Sequence, residues 1–144
     1  MVDPKDVIPH RPPFLFVDEI LEVGDGHAIG KKTFKKDEFF YKGHYPGQPI
    51  TPGVILCEAI FQVAAFFAIN KLAKDSGPIG GITPVLAKIN DARFKRIVLP
   101  GSTVMLKAEF LESMGKFMMM RGSAFHDKKV DVSIGFSIAF TDSR

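Results

Sequence analysis

Two ionisable side chains, His44 and Glu58, stand on either side of a segment rich in proline and glycine. Residues 43–53 contain three prolines and three glycines. Proline fixes φ and lacks a backbone N–H, whereas glycine permits unusual φ/ψ values, so the segment should be a rigid, irregular loop. Histidine and carboxyl groups are the side chains most often used for proton transfer. The spacing therefore indicates acid–base chemistry at this loop.

The residues after the loop predict one long helix. Residues 54–73 contain neither glycine nor proline, and their apolar side chains would cover nearly every side of a helix. Pro52 and Gly53 precede it, and Gly77-Pro78 follows its expected end. A helix that is apolar all round is buried. Its N-terminus, next to His44, would offer unpaired N–H groups and the positive end of the helix dipole.

Glu58 and Gln62 are four residues apart and would share one face of this helix. A carboxyl group in apolar surroundings must be paired, or its pKa rises. Together with His44 and the helix N-terminus, it could supply a general base, a general acid and an oxyanion site. A lone loop histidine or helix glutamate is more often structural, but their joint placement favours a functional site.

Alternating apolar and polar residues predict about five or six antiparallel strands. The pattern is clearest near the C-terminus, where short polar connections require antiparallel neighbours. A sheet that wraps one central helix would bury the apolar faces of both, giving an α+β fold with a single domain over residues 1–144. The predicted strands are residues 14–23, 27–34, 85–99, 103–111, 117–125 and 130–140.

Composition excludes several classes of function. Cys57 is the single cysteine, so no internal disulfide forms, and its position in the predicted helix favours packing over nucleophilic chemistry. The four histidines lack metal-site spacing. A net charge of +3 is too mild for a nucleic-acid stripe, although it is compatible with an acidic protein partner. The longest apolar run, residues 63–69, is too short for a membrane span, and the start lacks a signal-like apolar stretch. We expect a soluble, cytoplasmic protein.

Residues 43–62 read G-H-Y-P-G-Q-P-I-T-P-G-V-I-L-C-E-A-I-F-Q. This segment resembles the pattern G-H-[FY]-P-G-x-P-x-x-P-G-V-x-x-x-E-A-x-x-Q of the 3-hydroxyacyl-[acyl carrier protein] dehydratases of the FabZ type, which have the hot-dog fold. Residues 8–11 with 13–18, and 92–96 followed by Pro100-Gly101, also agree with that family. The sequence departs from it at Lys88, Ile97 and Ser102, where the family usually has Gly, Pro and Asp, which puts the strand and turn geometry beside the substrate tunnel in doubt.

The resemblance implies a homodimer whose two sheets join, often assembled further into a trimer of dimers. Each active site would take His44 from one subunit and Glu58 from the other, and the Gly53 N–H would hold a thioester carbonyl. The substrate would be a (3R)-hydroxyacyl group on the phosphopantetheine arm of acyl carrier protein, and no metal or redox cofactor is implied. Supporting or tunnel positions would be His10, Tyr45, Pro52 and Gln62. The basic cluster Arg93, Lys95 and Arg96 would either face the carrier protein or be solvated.

The implied reaction is dehydration to a trans-2-enoyl thioester in fatty acid synthesis. A bifunctional dehydratase/isomerase is an alternative, although that family usually has Asp at the position of Glu58. A hot-dog thioesterase is a second alternative, but residues 43–53 do not resemble the thioesterase loop. A non-catalytic acyl-binding module is a third, and the presence of both His44 and Glu58 argues against it.

Overall fold

The computed structural model describes residues 2–77, 80 and 82–142, and in them one long helix packs on a six-stranded antiparallel sheet. The strand order is β1-β2-β4-β5-β6-β3. This is the hot-dog arrangement that the sequence predicted. The elements are β1 (Glu19–Val23), β2 (His27–Thr33), α1 (Gly53–Ser76), β3 (Ile82–Phe94), β4 (Thr103–Met114), β5 (Phe117–His126) and β6 (Lys129–Asp142), with single 3-10 turns at Pro4–Asp6 and Phe39–Lys42.

Helix α1 forms the centre of the hydrophobic core. It packs chiefly on β4, β2 and β5, and its middle turns are buried on every side, as its apolar sequence predicted. By length and composition α1 could cross a membrane, but 61% of its most apolar window is buried within the structure, which identifies it as a core helix. The helix ends at Ser76, and Gly77 follows with a φ of 78°, a value that glycine adopts without strain. Pro78, expected just past the end, lies outside the described residues.

Two predicted strands are shorter than the alternation indicated, in each case because another group binds the backbone. The strand expected over residues 14–23 begins only at Glu19, since the Gln62 side chain bonds the backbone of Phe14 and Phe16. The strand expected over residues 85–99 ends at Phe94. There the backbone N–H groups of Lys95 and Arg96 both donate to the carbonyl oxygen of Asp131.

The edge strand β3 is unusual because it is exposed along most of its length. It pairs with β6 on one side, and none of its 13 residues is fully buried. Its exposed side chains include Val85, Leu86, Ile89 and Phe94. Long, apolar edge strands are rare on monomeric proteins because they pair with other chains.

A buried polar network holds the chain where β3 ends. The Asp131 carboxylate has no solvent exposure, and its Oδ2 lies 2.7 Å from Nδ1 of His126. Its Oδ1 lies 3.7 Å from Nε of Arg96, whose guanidinium also donates to the His126 carbonyl oxygen at 3.0 Å. Removing one partner of such a network leaves buried charge without compensation.

We expect Asp131→Asn to lower the free energy of unfolding by about 2 kcal/mol, because it removes the charge that strengthens the hydrogen bond to His126 and that pairs with Arg96 at 3.7 Å. Asp127→Asn makes the same chemical change at an exposed position four residues away and should change stability by less than about 0.5 kcal/mol. Urea denaturation at neutral pH measures both. Equal effects of the two substitutions would contradict a stabilising role for the network.

Candidate active site

The loop of residues 43–53 is closed by its own hydrogen bonds. The Ile50 N–H donates to the His44 carbonyl oxygen at 2.9 Å. Tyr45 and Gln48 exchange two backbone bonds, at 3.1 and 3.0 Å. The loop is also tied to the body of the protein, because the Thr51 N–H donates to the Val98 carbonyl oxygen at 2.9 Å. The loop is therefore the rigid element that its prolines and glycines predicted.

The hydrogen bonds of His44 determine its tautomer. Nδ1 lies 2.9 Å from the carbonyl oxygen of Ile50, and a carbonyl oxygen can only accept. Nδ1 must therefore carry the hydrogen, which leaves the lone pair of the neutral imidazole on Nε2. The ring also stacks on Tyr45, with centroids 4.1 Å apart. The neutral ring of His44 is thus held with its free nitrogen at Nε2, which could accept a proton.

The N-terminus of α1 follows directly. Pro52 is its N-cap and offers no side-chain acceptor to the first turn, so the N–H groups of Gly53 and Val54 have no partner within the helix. Gly53 lies under the Phe94 ring, and a Cβ atom at this position would come within 2.6 Å of Cε1 of Phe94. The glycine lets the ring approach the backbone. An uncapped helix N-terminus of this kind stabilises negative charge on a bound oxygen.

Glu58 is held by Gln62, which is completely buried. Oε1 of Gln62 accepts the Phe16 N–H at 2.8 Å, while Nε2 donates to the Phe14 carbonyl oxygen at 3.1 Å. These backbone partners fix the orientation of the amide. The second N–H of Gln62 must therefore donate to Oε2 of Glu58, 2.9 Å away. Oε2 is consequently an acceptor, and a protonated Glu58 carries its hydrogen on Oε1.

Burial raises the pKa of Glu58 above the ordinary range of a carboxyl group, and the hydrogen bond from Gln62 opposes that rise. The raised pKa favours the protonated form that a general acid needs. The pKa of Cys57, one residue earlier, is raised by burial to about 11. The Cys57 side chain is therefore a protonated thiol, in agreement with the packing role expected from the sequence.

Glu58 opens onto a pocket of about 70 Å³ that it shares with His10. Oε2 of Glu58 lies 3.7 Å from Nε2 of His10, and burial, together with the charge of Arg11, lowers the pKa of His10. The other lining residues are apolar and come from the helix and the edge of the sheet: Phe61, Ala65, Pro84, Val85, Leu86 and Ile138.

The structure thus separates the expected site residues into two groups. His10, Glu58 and Gln62 form one group, whereas His44, Tyr45, Pro52 and Gly53 surround the helix N-terminus. Within the described residues, no direct contact joins His44 to Glu58, and His44 does not line the pocket of Glu58. The sequence assigned no part to Phe94, although the segment A-R-F that contains it was one of the resembling stretches.

The basic cluster is also divided. Arg96 is half-buried and bound to Asp131 and His126, so its guanidinium is used inside the protein. Lys95 and Arg93 are exposed and line an open depression on the face of the sheet opposite the helix. Arg93 also lies 3.4 Å from Oδ1 of Asp91 in the same depression, so of the three basic residues Lys95 is the one with no ion pair in the described part of the chain. Over the described residues, no group of three or more His, Cys, Asp or Glu side chains is arranged to hold a metal ion.

The sequence matches a known protein family and several of its members. Residues 8–134 match the family described as the FabA-like domain. The chain is 41% identical over 127 residues to the 3-hydroxyacyl-[acyl-carrier-protein] dehydratase FabZ of Exiguobacterium sibiricum, covering 88% of this chain and 87% of that protein. It is 37% identical over 122 residues to the bifunctional enzyme LpxC/FabZ of Porphyromonas gingivalis, covering 84% of this chain but 26% of that longer protein.

A solved structure supports the fold. The dehydratase heterocomplex ApeI:P from Xenorhabdus doucetiae superimposes with a TM-score of 0.80 at 16% identity, covering 99% of this chain and 93% of the matched chain. At that identity the likeness concerns the fold alone.

Proposed function

The chain belongs to the FabA-like family and, within it, to the FabZ type of 3-hydroxyacyl-[acyl-carrier-protein] dehydratases, and we propose that His44 and Glu58 carry its reaction. The substrate is a (3R)-hydroxyacyl thioester on acyl carrier protein, and the product is a trans-2-enoyl thioester of fatty acid synthesis. The described residues form one catalytic domain, and the reaction takes place in the cytoplasm. No metal or redox cofactor takes part in the reaction.

The observation that carries the proposal is the hydrogen-bond geometry that orients each partner. His44 offers a free Nε2 because Nδ1 donates to Ile50, and Glu58 offers a proton on Oε1 because Oε2 accepts from Gln62. Nε2 of His44 removes a proton from C2, which the thioester carbonyl acidifies. Negative charge develops on the carbonyl oxygen, where the Gly53 N–H and the helix dipole stabilise it. Glu58 then protonates the hydroxyl that leaves C3.

A second subunit is needed because one chain provides only half of this site. The pocket beside Glu58, at about 70 Å³, is far below the 300 Å³ or more that small-molecule sites usually occupy. Exposed apolar side chains also surround the helix N-terminus, where Val54 is 72% and Ile97 is 62% exposed. Such patches are typical of interfaces. We therefore place a second copy of the chain against these surfaces.

Pairing of the two β3 strands would bring the two halves together. Glu58 lies beside the start of β3, at residues 84–86, whereas the helix N-terminus lies against Phe94 at the end of the strand. In an antiparallel pair about a two-fold axis, the start of one strand lies next to the end of the other. Glu58 of one subunit would then face His44 of the second. Light scattering should give a dimer or, with further assembly, a trimer of dimers.

The proposed activity is tested by giving the purified protein a 3-hydroxybutyryl thioester and following enoyl absorbance and free thiol separately. Enoyl formation without thiol release supports dehydration. Thiol release would indicate a thioesterase. Conversion of the enoyl product to its 3-enoyl isomer would identify a bifunctional dehydratase/isomerase. Absence of all three products with carrier-bound substrate would leave an acyl-binding module.

The acyl carrier protein is expected to bind partly through charge. The net charge of this chain is +3, and Arg93 and Lys95 are exposed on one surface. We expect carrier-linked substrate to react more efficiently than a pantetheine analogue. That advantage should shrink as salt rises, because at physiological ionic strength surface charges are screened beyond about 8 Å. Measuring kcat/KM for both substrates against salt concentration tests this.

Lys95→Glu should raise KM for the carrier-linked substrate alone. Lys116→Glu is the matched control, since it reverses an exposed lysine at the β4–β5 turn, at the opposite end of the sheet. A preference for the carrier that does not depend on salt, or equal effects of the two reversals, would argue against docking at Arg93 and Lys95.

A further inference from the structure

His10 is a polar side chain in the pocket of Glu58 to which the reaction as described gives no role. The pocket holds two polar residues, His10 and Glu58, among six apolar ones. Nδ1 of His10 is buried and has no hydrogen-bond partner in the described part of the chain. His10 lies near the start of the chain, yet its imidazole lies beside Glu58 of the central helix α1. This placement needs an explanation.

The tautomer of His10 follows from its surroundings. Burial and the charge of Arg11 lower the pKa of His10, so the ring is neutral at neutral pH. A hydrogen on Nδ1 would be a buried N–H without a partner, which is among the costliest arrangements in a folded protein. A hydrogen on Nε2 instead points to the side of the ring that faces Oε2 of Glu58. The Nε2–H tautomer is therefore favoured.

The distance between His10 and Glu58 leaves room for one oxygen atom that is hydrogen-bonded to both. At 3.7 Å, Nε2 and Oε2 are too far apart for a direct hydrogen bond. One oxygen atom in the adjoining space could lie about 2.8 Å, the usual hydrogen-bond length, from Nε2 of His10 while it also reaches the Glu58 carboxyl group, whose other oxygen, Oε1, carries the proton. The adjoining pocket, about 70 Å³, has room for it, because a water molecule occupies about 30 Å³ in the liquid.

We propose that His10 is a catalytic residue whose Nε2–H donates a hydrogen bond to the oxygen leaving C3 of the substrate, and that this pocket receives the water formed. The inference rests on the proposed function. As the C3–O bond breaks, its electron pair stays on the oxygen, which takes the proton from Oε1 of Glu58. The electron pair of the C2–H bond becomes the C2=C3 double bond as His44 takes that proton. His10 transfers no proton; it stabilises the charge that grows on the departing oxygen.

Glutamine and asparagine carry their amide N–H groups at different distances from the backbone, and this difference tests the role of His10. Gln presents an N–H near the position of Nε2, Asn presents one only near Nδ1, and Phe preserves the ring without a donor. His10→Asn and His10→Phe should lower kcat by about 10- to 100-fold, the range expected when one hydrogen bond to a charged group is lost. His10→Gln should stay within about fivefold of the wild type because it retains that donor.

The variants are measured in the enoyl assay alongside wild type, with melting temperature as the test of folding. If wild type forms no enoyl product, the proposed function fails. If wild type is active and His10→Phe or His10→Asn matches His10→Gln, the role of His10 fails instead. A packing role would favour Phe over Gln, the reverse of the expected order.

NMR on the wild-type protein tests the proposal even if a variant does not fold. Amide analogues of the substrate, with NH in place of the thioester sulfur, bind without eliminating water. With ¹⁵N-labelled histidine, the Nε2 resonance of His10 should shift on saturation with the 3-hydroxyacyl amide and not with the 3-deoxy amide. Equal responses to the two bound analogues would overturn the proposal.

Discussion

Glu58→Gln and His44→Ala are each expected to remove nearly all turnover while the fold remains intact. Gln can still accept the bond from Gln62 but has no acidic proton, and Ala removes the base whose Nε2 is left free by Ile50. Loss of a general acid or base typically lowers the rate on the order of 10²- to 10⁴-fold. Steady-state kcat with carrier-linked substrate measures the loss.

Two matched substitutions serve as controls. Glu109→Gln makes the same change on an exposed position of β4, and His27→Ala removes a histidine from β2. Both should retain kcat close to that of wild type. If either active-site variant also kept a wild-type kcat, the role assigned to that residue would be wrong.

The stability of Glu58→Gln provides a separate check. Because burial raises the pKa of Glu58 in the folded chain, the stability that its carboxyl group contributes is present below the unfolded-state pKa. It is lost as pH rises through the folded-state pKa. Gln is never charged and avoids that loss. The free energy of unfolding of Glu58→Gln relative to wild type should therefore be higher at about pH 8 than at about pH 5, measured by urea denaturation.

The sequence predicted the helix and the strands well because each depends on a local pattern. The limits of α1 follow from Pro52 before it and Gly77 after it, and the C-terminal strands follow from strict alternation. The rigid loop of residues 43–53 was likewise predictable, since proline and glycine act on their own backbone. The six-stranded antiparallel sheet and hot-dog fold follow from these elements and the family resemblance.

The sequence predicted less well where groups distant along the chain meet. The early end of β3 depends on Asp131, which is more than 30 residues beyond it. The same carboxylate binds Arg96, so a residue that looked available to a carrier protein is used internally. The contact of His10 with Glu58 spans 48 positions. No local spacing encodes these contacts; they arise when the strand order is set.

Two inactive proteins should together form an active one if each site draws on two subunits. His44→Ala and Glu58→Gln homodimers each have two defective sites. In a mixed dimer, one site receives both substitutions and the other receives neither, because its His44 comes from the Glu58→Gln chain and its Glu58 from the His44→Ala chain. Random pairing of equal amounts gives about half mixed dimers with one intact site each, so activity should reach about a quarter of wild type when the sites are independent.

Activity in the mixed dimers bears on the pairing of the two β3 strands as well as on the roles of His44 and Glu58. Glu58 lies beside residues 84–86 and Gly53 beside Phe94, so only a partner strand that runs in the opposite direction brings the two ends together. Two affinity tags, purified in series, isolate the mixed dimers. If such verified mixed dimers were no more active than either parent, His44 and Glu58 would act within one chain, or they would not be the catalytic pair. Recovery of activity would show that the site is shared between subunits, as the joined sheets favoured by the exposed edge of β3 imply.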